Sequence, residues 1–125
     1  MTTRDETKHT GCPIEATLNL IGGRWKPLIL YHLSDDMRRF NELKRLMPQV
    51  SRHMLTQHLR ELEADGLVHR KVYAEVPPRV EYRLTQLSQR LQPLLLAMHE
   101  WGEWYLAEAD NEELIEPVPP QVDVV

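Results

Sequence analysis

Between Arg52 and Ala64 leucine recurs at positions 55, 59 and 62, a spacing that repeats along one side of a 3.6-residue helix. His53, Gln57, Arg60 and Ala64 fall on the opposite side, with Thr56 beside them and Arg52 at the N-terminal end. Ser51 stands where a helix cap belongs, because its hydroxyl can accept from an unpaired first-turn N–H. Gly66 follows where a left-handed helix end favours glycine.

The rest of the chain parses by the same rules. CPIEATLNLIG predicts a helix with Pro13 in its first turn, Ile14, Leu18 and Ile21 about one face apart, and Gly22-Gly23 as its stop. RWKPLILYHL predicts a second, with Trp25, Leu28, Ile29 and Leu33 on a stripe and Pro27 within the first turn. Met37–Phe40 reads as a very short strand. Asn41 is the expected cap of a helix NELKRLM that buries Leu43, Leu46 and Met47, and Pro48-Gln49-Val50 turns the chain into Ser51. Past Gly66 the period shortens. Val68/Arg70/Val72 and Val80/Tyr82/Leu84 alternate with their neighbours, and AEVPP between them predicts a hairpin with a projecting tip. Thr85 then caps one long helix, kinked at Pro93, with Leu87, Leu91, Leu94, Leu95, Met98, Trp101 and Tyr105 on its apolar face.

The order helix, helix, short strand, helix, tight turn, helix, hairpin, helix is that of a winged helix-turn-helix. The expected fold is mainly α with a small β-hairpin, an extra N-terminal helix and a long C-terminal dimerisation helix. At 125 residues, 42% of them apolar, the chain suits one domain with a real core. Residues 1–11 read as a flexible arm, 12–109 as the domain, and 110–125, acidic and proline-rich, as a disordered tail. There is no run of apolar residues long enough for a membrane span. MTTRDETKHTG does not read as a secretory signal, and a single cysteine cannot form an internal disulfide. The expected location is the cytoplasm.

Charge sharpens this picture. The net is −4, but residues 24–90 carry 13 Lys and Arg against 8 Asp and Glu, while residues 91–125 carry 8 acids and no Lys or Arg. A basic middle suits a polyanion partner. In a helix-turn-helix the second helix enters the major groove. Arg can pair with both acceptors of guanine, and Gln with the matching edge of adenine. Ser51, Arg52, His53, Thr56, Gln57 and Arg60 are therefore the candidate DNA contacts of the recognition helix. Lys71 and Arg79 are those of the wing, with Arg79 favoured because it directly follows Pro77-Pro78.

Other chemistries fare worse. His9 and Cys12 stand as H-x-x-C, and His53 and His58 are five apart, but neither pair has further ligands at metal-site spacing. Glu61 and Glu63, two apart, point apart on a helix. There is no nucleophile with a nearby base and no phosphate-binding glycine loop, so no enzyme, cofactor or metal is expected.

The segments CPIEATLNLIGGRWKPLILYHL, RRFNELKRLMPQVSRHMLTQHLRELEADGLVHRKVY and EVPPRVEYRLT, with a helix ending HEWGEW, resemble the HxlR-type family of bacterial winged helix-turn-helix transcriptional regulators. The resemblance covers roughly Cys12 to Trp104. It implies a homodimeric DNA-binding regulator. The recognition helix would start at Ser51, the wing would span Val72–Val80, and the N-terminal segment and last helix would join the subunits. Some members of the family sense electrophiles or disulfide stress through a cysteine near the N-terminus, and Cys12 matches that position. A helix start there would stabilise a thiolate. The apolar residues Ile14, Leu18, Leu94, Leu95, Met98, Trp101 and Tyr105 exceed what one small core can use, which supports a subunit interface. The expected partners are therefore an inverted-repeat operator on double-stranded DNA, a second copy of the chain and a small electrophile or other effector. Repressor and activator both remain open. The alternative is a winged-helix interaction module that docks an acidic protein and binds no DNA. Such a module would show apolar anchors on the helix face, where this chain has polar groups.

Overall fold

A computed structural model describes residues 11–120. Its elements are α1 (Pro13–Ile21), α2 (Lys26–His32), β1 (Arg38–Arg39), α3 (Phe40–Leu46), α4 (Arg52–Ala64), β2 (Val68–Tyr73), β3 (Arg79–Leu84), α5 (Gln86–Gln89) and α6 (Gln92–Glu108), with a 3₁₀ turn at Glu112–Ile115. The fold is mostly helical with one three-stranded antiparallel sheet, ordered β1-β3-β2. It is a winged helix-turn-helix. The expected N-terminal arm lies almost wholly outside the described residues, as do the last five residues of the tail.

Local chemistry sets the ends of α4. The Ser51 Oγ accepts from the Met54 N–H at 3.0 Å. Val50, before the cap, and Leu55, in the first turn, are both buried in the positions of a hydrophobic staple. At the other end Gly66 takes φ +78°, Leu67 N–H reaches the Leu62 carbonyl at 2.8 Å, and Gly66 N–H reaches Glu63 at 3.0 Å. That is a Schellman closure, which needs the left-handed residue that glycine supplies without strain.

Leu55, Leu59 and Leu62 from α4 join Ile29 and Leu30 of α2, its C-cap Leu33, Leu43 of α3, Met47, Leu67 and Val68 in one buried core. The seam of leucines faces inward as the periodicity predicts. The hairpin pairs Val68 with Leu84, Arg70 with Tyr82 and Val72 with Val80. Val68 is buried but Val72 is exposed and Val76 fully so, because the ribbon outruns the core and its tip projects. At the end of α2, His32 is held below its ordinary pKa, chiefly by burial and next by the Arg38 guanidinium, with Asp35 opposing.

Several expectations are corrected. The C-terminal segment is not one kinked helix: α5 ends at Gln89 and α6 starts at Gln92 with Pro93 in its first turn. Proline has no N–H to donate, and its ring would clash with the carbonyl four residues back, which is that of Gln89. The break is anchored by Ser88, fully buried, whose hydroxyl donates to the Leu67 carbonyl at 2.6 Å, and by Thr85, which donates to Gly66 at 2.6 Å. The cap of α3 is Arg39 rather than Asn41, and the Glu42 carboxylate accepts the Arg39 N–H at 2.9 Å. Leu28, Leu46 and Leu87, expected on buried faces, are exposed. The tail is not featureless, since Asn111 caps the short 3₁₀ turn.

Candidate nucleic-acid interface

With its leucines buried, α4 turns His53, Gln57 and Arg60 outward, all three exposed. None of the three makes a side-chain hydrogen bond or ion pair to any described residue. The acids of the helix are otherwise engaged. Glu61 pairs with Lys26 at 3.3 Å and Glu63 with Arg70 at 3.4 Å, while Asp65 is buried at the C-terminal end. The outward face thus keeps its amide and cation and has its carboxylates drawn aside. His58, on the flank, has both ring nitrogens buried without a hydrogen-bond partner among the described residues. It does not share the exposed face of His53.

The nominated residues at the start of α4 divide. Ser51 spends its oxygen on the cap. The Thr56 hydroxyl donates to the Arg52 carbonyl at 2.8 Å, which leaves its methyl and its lone pairs for a partner. Arg52 leans back toward α3. It donates to the Asn41 Oδ1 at 2.9 Å, and its guanidinium carbon lies 5.1 Å from the centre of the Phe40 ring. Arg60, with Thr56, Glu63, Arg70 and Tyr82, borders a small hollow of about 170 Å³ between α4 and the sheet. Tyr82 there is pushed above the ordinary phenol range, mainly by burial and then by Glu63, while Arg70 and Arg60 pull it down.

The wing differs from expectation. The register places Arg39 opposite Glu81, Lys71 opposite Glu81, and Tyr73 opposite Arg79, so these side chains share one sheet face with Arg83 and His69. At its centre Glu81 is buried. Its carboxylate accepts from the Tyr73 hydroxyl at 3.0 Å and lies 3.8 Å from Arg79 Nε and 3.9 Å from Arg83. Arg79 also pairs with Glu75 at 3.3 Å and stacks 3.9 Å over the Tyr73 ring. It is therefore not the free cation of the wing tip. Two carboxylates and an aromatic face hold it, because the loop brings Glu75 four residues before it and the strand places Glu81 two after. Lys71 remains exposed, its amino group 4.8 Å from the Tyr73 ring. Glu81 was missed in the sequence. The alternation that set Val80, Tyr82 and Leu84 on the inner face already put it among cations on the outer one.

Of the apolar residues assigned to a subunit contact, Ile14, Leu18, Leu94 and Met98 come together around a hollow of about 340 Å³ between α1 and α6. Trp101 and Tyr105 lie further along α6, stacked at 5.2 Å and exposed. Trp104 and Leu106 extend that exposed face and escaped notice because they fall off the nominated stripe. Leu95 is the exception. It is 3% exposed and belongs to the buried core, since α6 must bury one row against α2 before it offers another outward. Cys12 is exposed, caps α1 with its backbone, and lends its side chain to no cap hydrogen bond. Among the described residues no group of three or more His, Cys, Asp or Glu is placed to hold a metal, and no helix is long and apolar enough to cross a membrane.

Comparison with known proteins adds three kinds of likeness. The model of the HxlR-like helix-turn-helix family matches residues 20–110. The HTH-type transcriptional regulator YdeP of Bacillus subtilis is 52% identical over 103 residues, spanning 82% of this chain and 80% of YdeP. Among solved structures, the redox regulator HypR in its oxidised form is 55% identical, with a TM-score of 0.72 over 74% of this chain and 96% of that one. Its reduced form is 50% identical, with a TM-score of 0.74 over 82% of this chain and 99% of that one.

Proposed function

The chain belongs to the HxlR-like helix-turn-helix family and is a DNA-binding transcriptional regulator, and from that premise we propose how it engages DNA. α4 enters the major groove with Gln57 and Arg60 reading base edges, His53 and Thr56 beside them and Ser51 at the phosphate end. The observation that carries this is the state of the outward face: its polar tips are exposed and uncommitted, and the neighbouring carboxylates are tied to Lys26 and Arg70. Lys71 supplies a backbone contact from the wing.

Two copies act together. The exposed apolar surface of α1 and α6 is the natural seam, built from Ile14, Leu18, Leu94, Met98, Trp101 and Tyr105. Two-fold symmetry then dictates an inverted repeat, with half-sites about one helical turn apart, roughly 34–36 Å, or a multiple. The regulator works beside the chromosome, in the cytoplasm, and its role is recognition rather than catalysis.

Selecting bound duplexes from a random pool with the purified protein is expected to return such an inverted repeat. Absence of any salt-dependent retention on duplex DNA or heparin at low salt would instead favour an interaction module.

Cys12 is the proposed sensor of an electrophile or oxidant. It is exposed at the start of a helix that borders the subunit seam, and the similar protein HypR is a redox regulator. A thiolate there adds to an electrophilic carbon of a quinone. Alternatively, two Cys12 thiols from two chains give up two electrons and two protons to diamide and form a disulfide. Either change shifts α1 against α6 and weakens operator binding. In a gel-shift assay wild type is expected to release its operator on treatment and Cys12→Ser to hold it; equal responses would remove Cys12 from the mechanism.

A further inference from the structure

A cleft of about 540 Å³ opens between the start of α3, the start of α4 and the wing. Arg39, Asn41 and Arg52 line one side, and Pro77, Pro78 and Arg79 line the other. Its charges are unequal in availability. Arg79 is spoken for by Glu75 and Glu81, and Glu75, the carboxylate of the cleft, is correspondingly occupied by Arg79. Arg52 and Arg39 have no carboxylate partner among the described residues. Arg52 is nevertheless fixed, since Asn41 takes one of its N–H groups and Phe40 lies against its plane. Four of its five donors stay unspent.

The two arginines of β1 divide the same way. Arg38 turns inward, and its Nε donates to the His32 carbonyl at 2.8 Å. Arg39 points to the outer face, exposed. Pro77 and Pro78 offer no N–H, so the wing wall contributes shape while the opposite wall contributes charge.

We infer that this cleft seats a phosphate of the DNA backbone, gripped by Arg39 and Arg52 beside the groove that α4 enters. Two planar guanidiniums with free N–H forks match a phosphodiester, which accepts but never donates. The position follows from the motif. Arg52 is the first residue of α4 and leans back toward α3 rather than along the outward face, so it reaches the strand that borders the groove, where phosphate contacts set register without reading sequence. Arg52 thereby moves from base reader to backbone clamp, and Arg39 joins the interface as its second member. This rests on the reading that α4 occupies the major groove, and the test separates the two.

Fluorescence anisotropy with a labelled random-sequence duplex and with a selected operator is the measurement, across a salt series. Arg39→Ala is expected to weaken both duplexes alike, roughly tenfold at 50 mM salt, and to reduce the slope of log affinity against log salt by about 0.9. Arg39→Lys should recover most of the slope, because it keeps the charge. Arg52→Ala should behave as Arg39→Ala does. An unchanged melting temperature for Arg39→Ala would show that the loss is not one of folding. If Arg39→Ala binds as wild type while Arg60→Ala loses its operator preference, the clamp is wrong and the groove assignment stands. If Arg39→Ala loses only the operator, Arg39 reads bases and the backbone assignment is wrong. If wild type itself shows no salt-dependent binding to either duplex, both fall.

Discussion

Truncating Leu59 to alanine is expected to lower the free energy of unfolding by about 2–5 kcal/mol. Leu59 is 2% exposed and sits between Leu55 and Leu62 on the one seam by which α4 is held. Removing its three outer carbons forfeits their transfer from water and leaves a void. The helix cannot close that void, because its ends are pinned by the Ser51 cap and the Schellman turn at Gly66. Urea denaturation should show an earlier midpoint with an unchanged slope, the sign of lost stability rather than of an altered unfolded state. Leu59→Met, which nearly keeps the volume, should cost less than about 1.5 kcal/mol. A loss under ~1 kcal/mol for the alanine variant would mean that α4 is held by something other than its leucines.

Arg60→Ala, one residue further along and facing away from that seam, should leave stability nearly unchanged and weaken operator binding by about 1–3 kcal/mol, with base preference relaxed at one position. Gln57→Ala should do the same at a neighbouring position. Both side chains are exposed, and the two carboxylates that follow Arg60 on the helix, Glu61 and Glu63, are engaged by Lys26 and Arg70. A base deprived of its bidentate protein partner is free to vary, whereas removing a phosphate partner weakens every sequence alike. Affinity for single-base variants of the selected operator distinguishes these cases. Equal operator affinity for wild type and Arg60→Ala would contradict the orientation of α4.

The wing shows how a correctly read element leaves the state of its residues undecided. The hairpin and its projecting tip were legible from alternation and the proline pair. The availability of Arg79 was not. Being cationic and next to a turn says nothing of whether a carboxylate waits across the strand. Glu81 does wait there, buried, with the Tyr73 hydroxyl completing its shell. A similar lesson comes from α6. Heptad-like spacing marks Leu94, Leu95 and Met98 as one apolar stripe, but packing against α2 takes Leu95 for the core and leaves the other two exposed.

Read from the chain alone, the order of elements as far as the wing, the inward leucine seam of α4, its serine cap, its glycine stop and the motifs that carry the family were all available. Each depends on interactions within about one or two turns of chain, and such interactions leave a local signature in residue type and spacing. The three-dimensional arrangement decided the rest. Which arginines are free and which are bound, why the last helix breaks where Ser88 meets Leu67, and that Arg39 and Arg52 face one cleft all depend on residues remote in sequence. An ion pair or a shared cleft costs the chain nothing in local pattern, so no local pattern reports it.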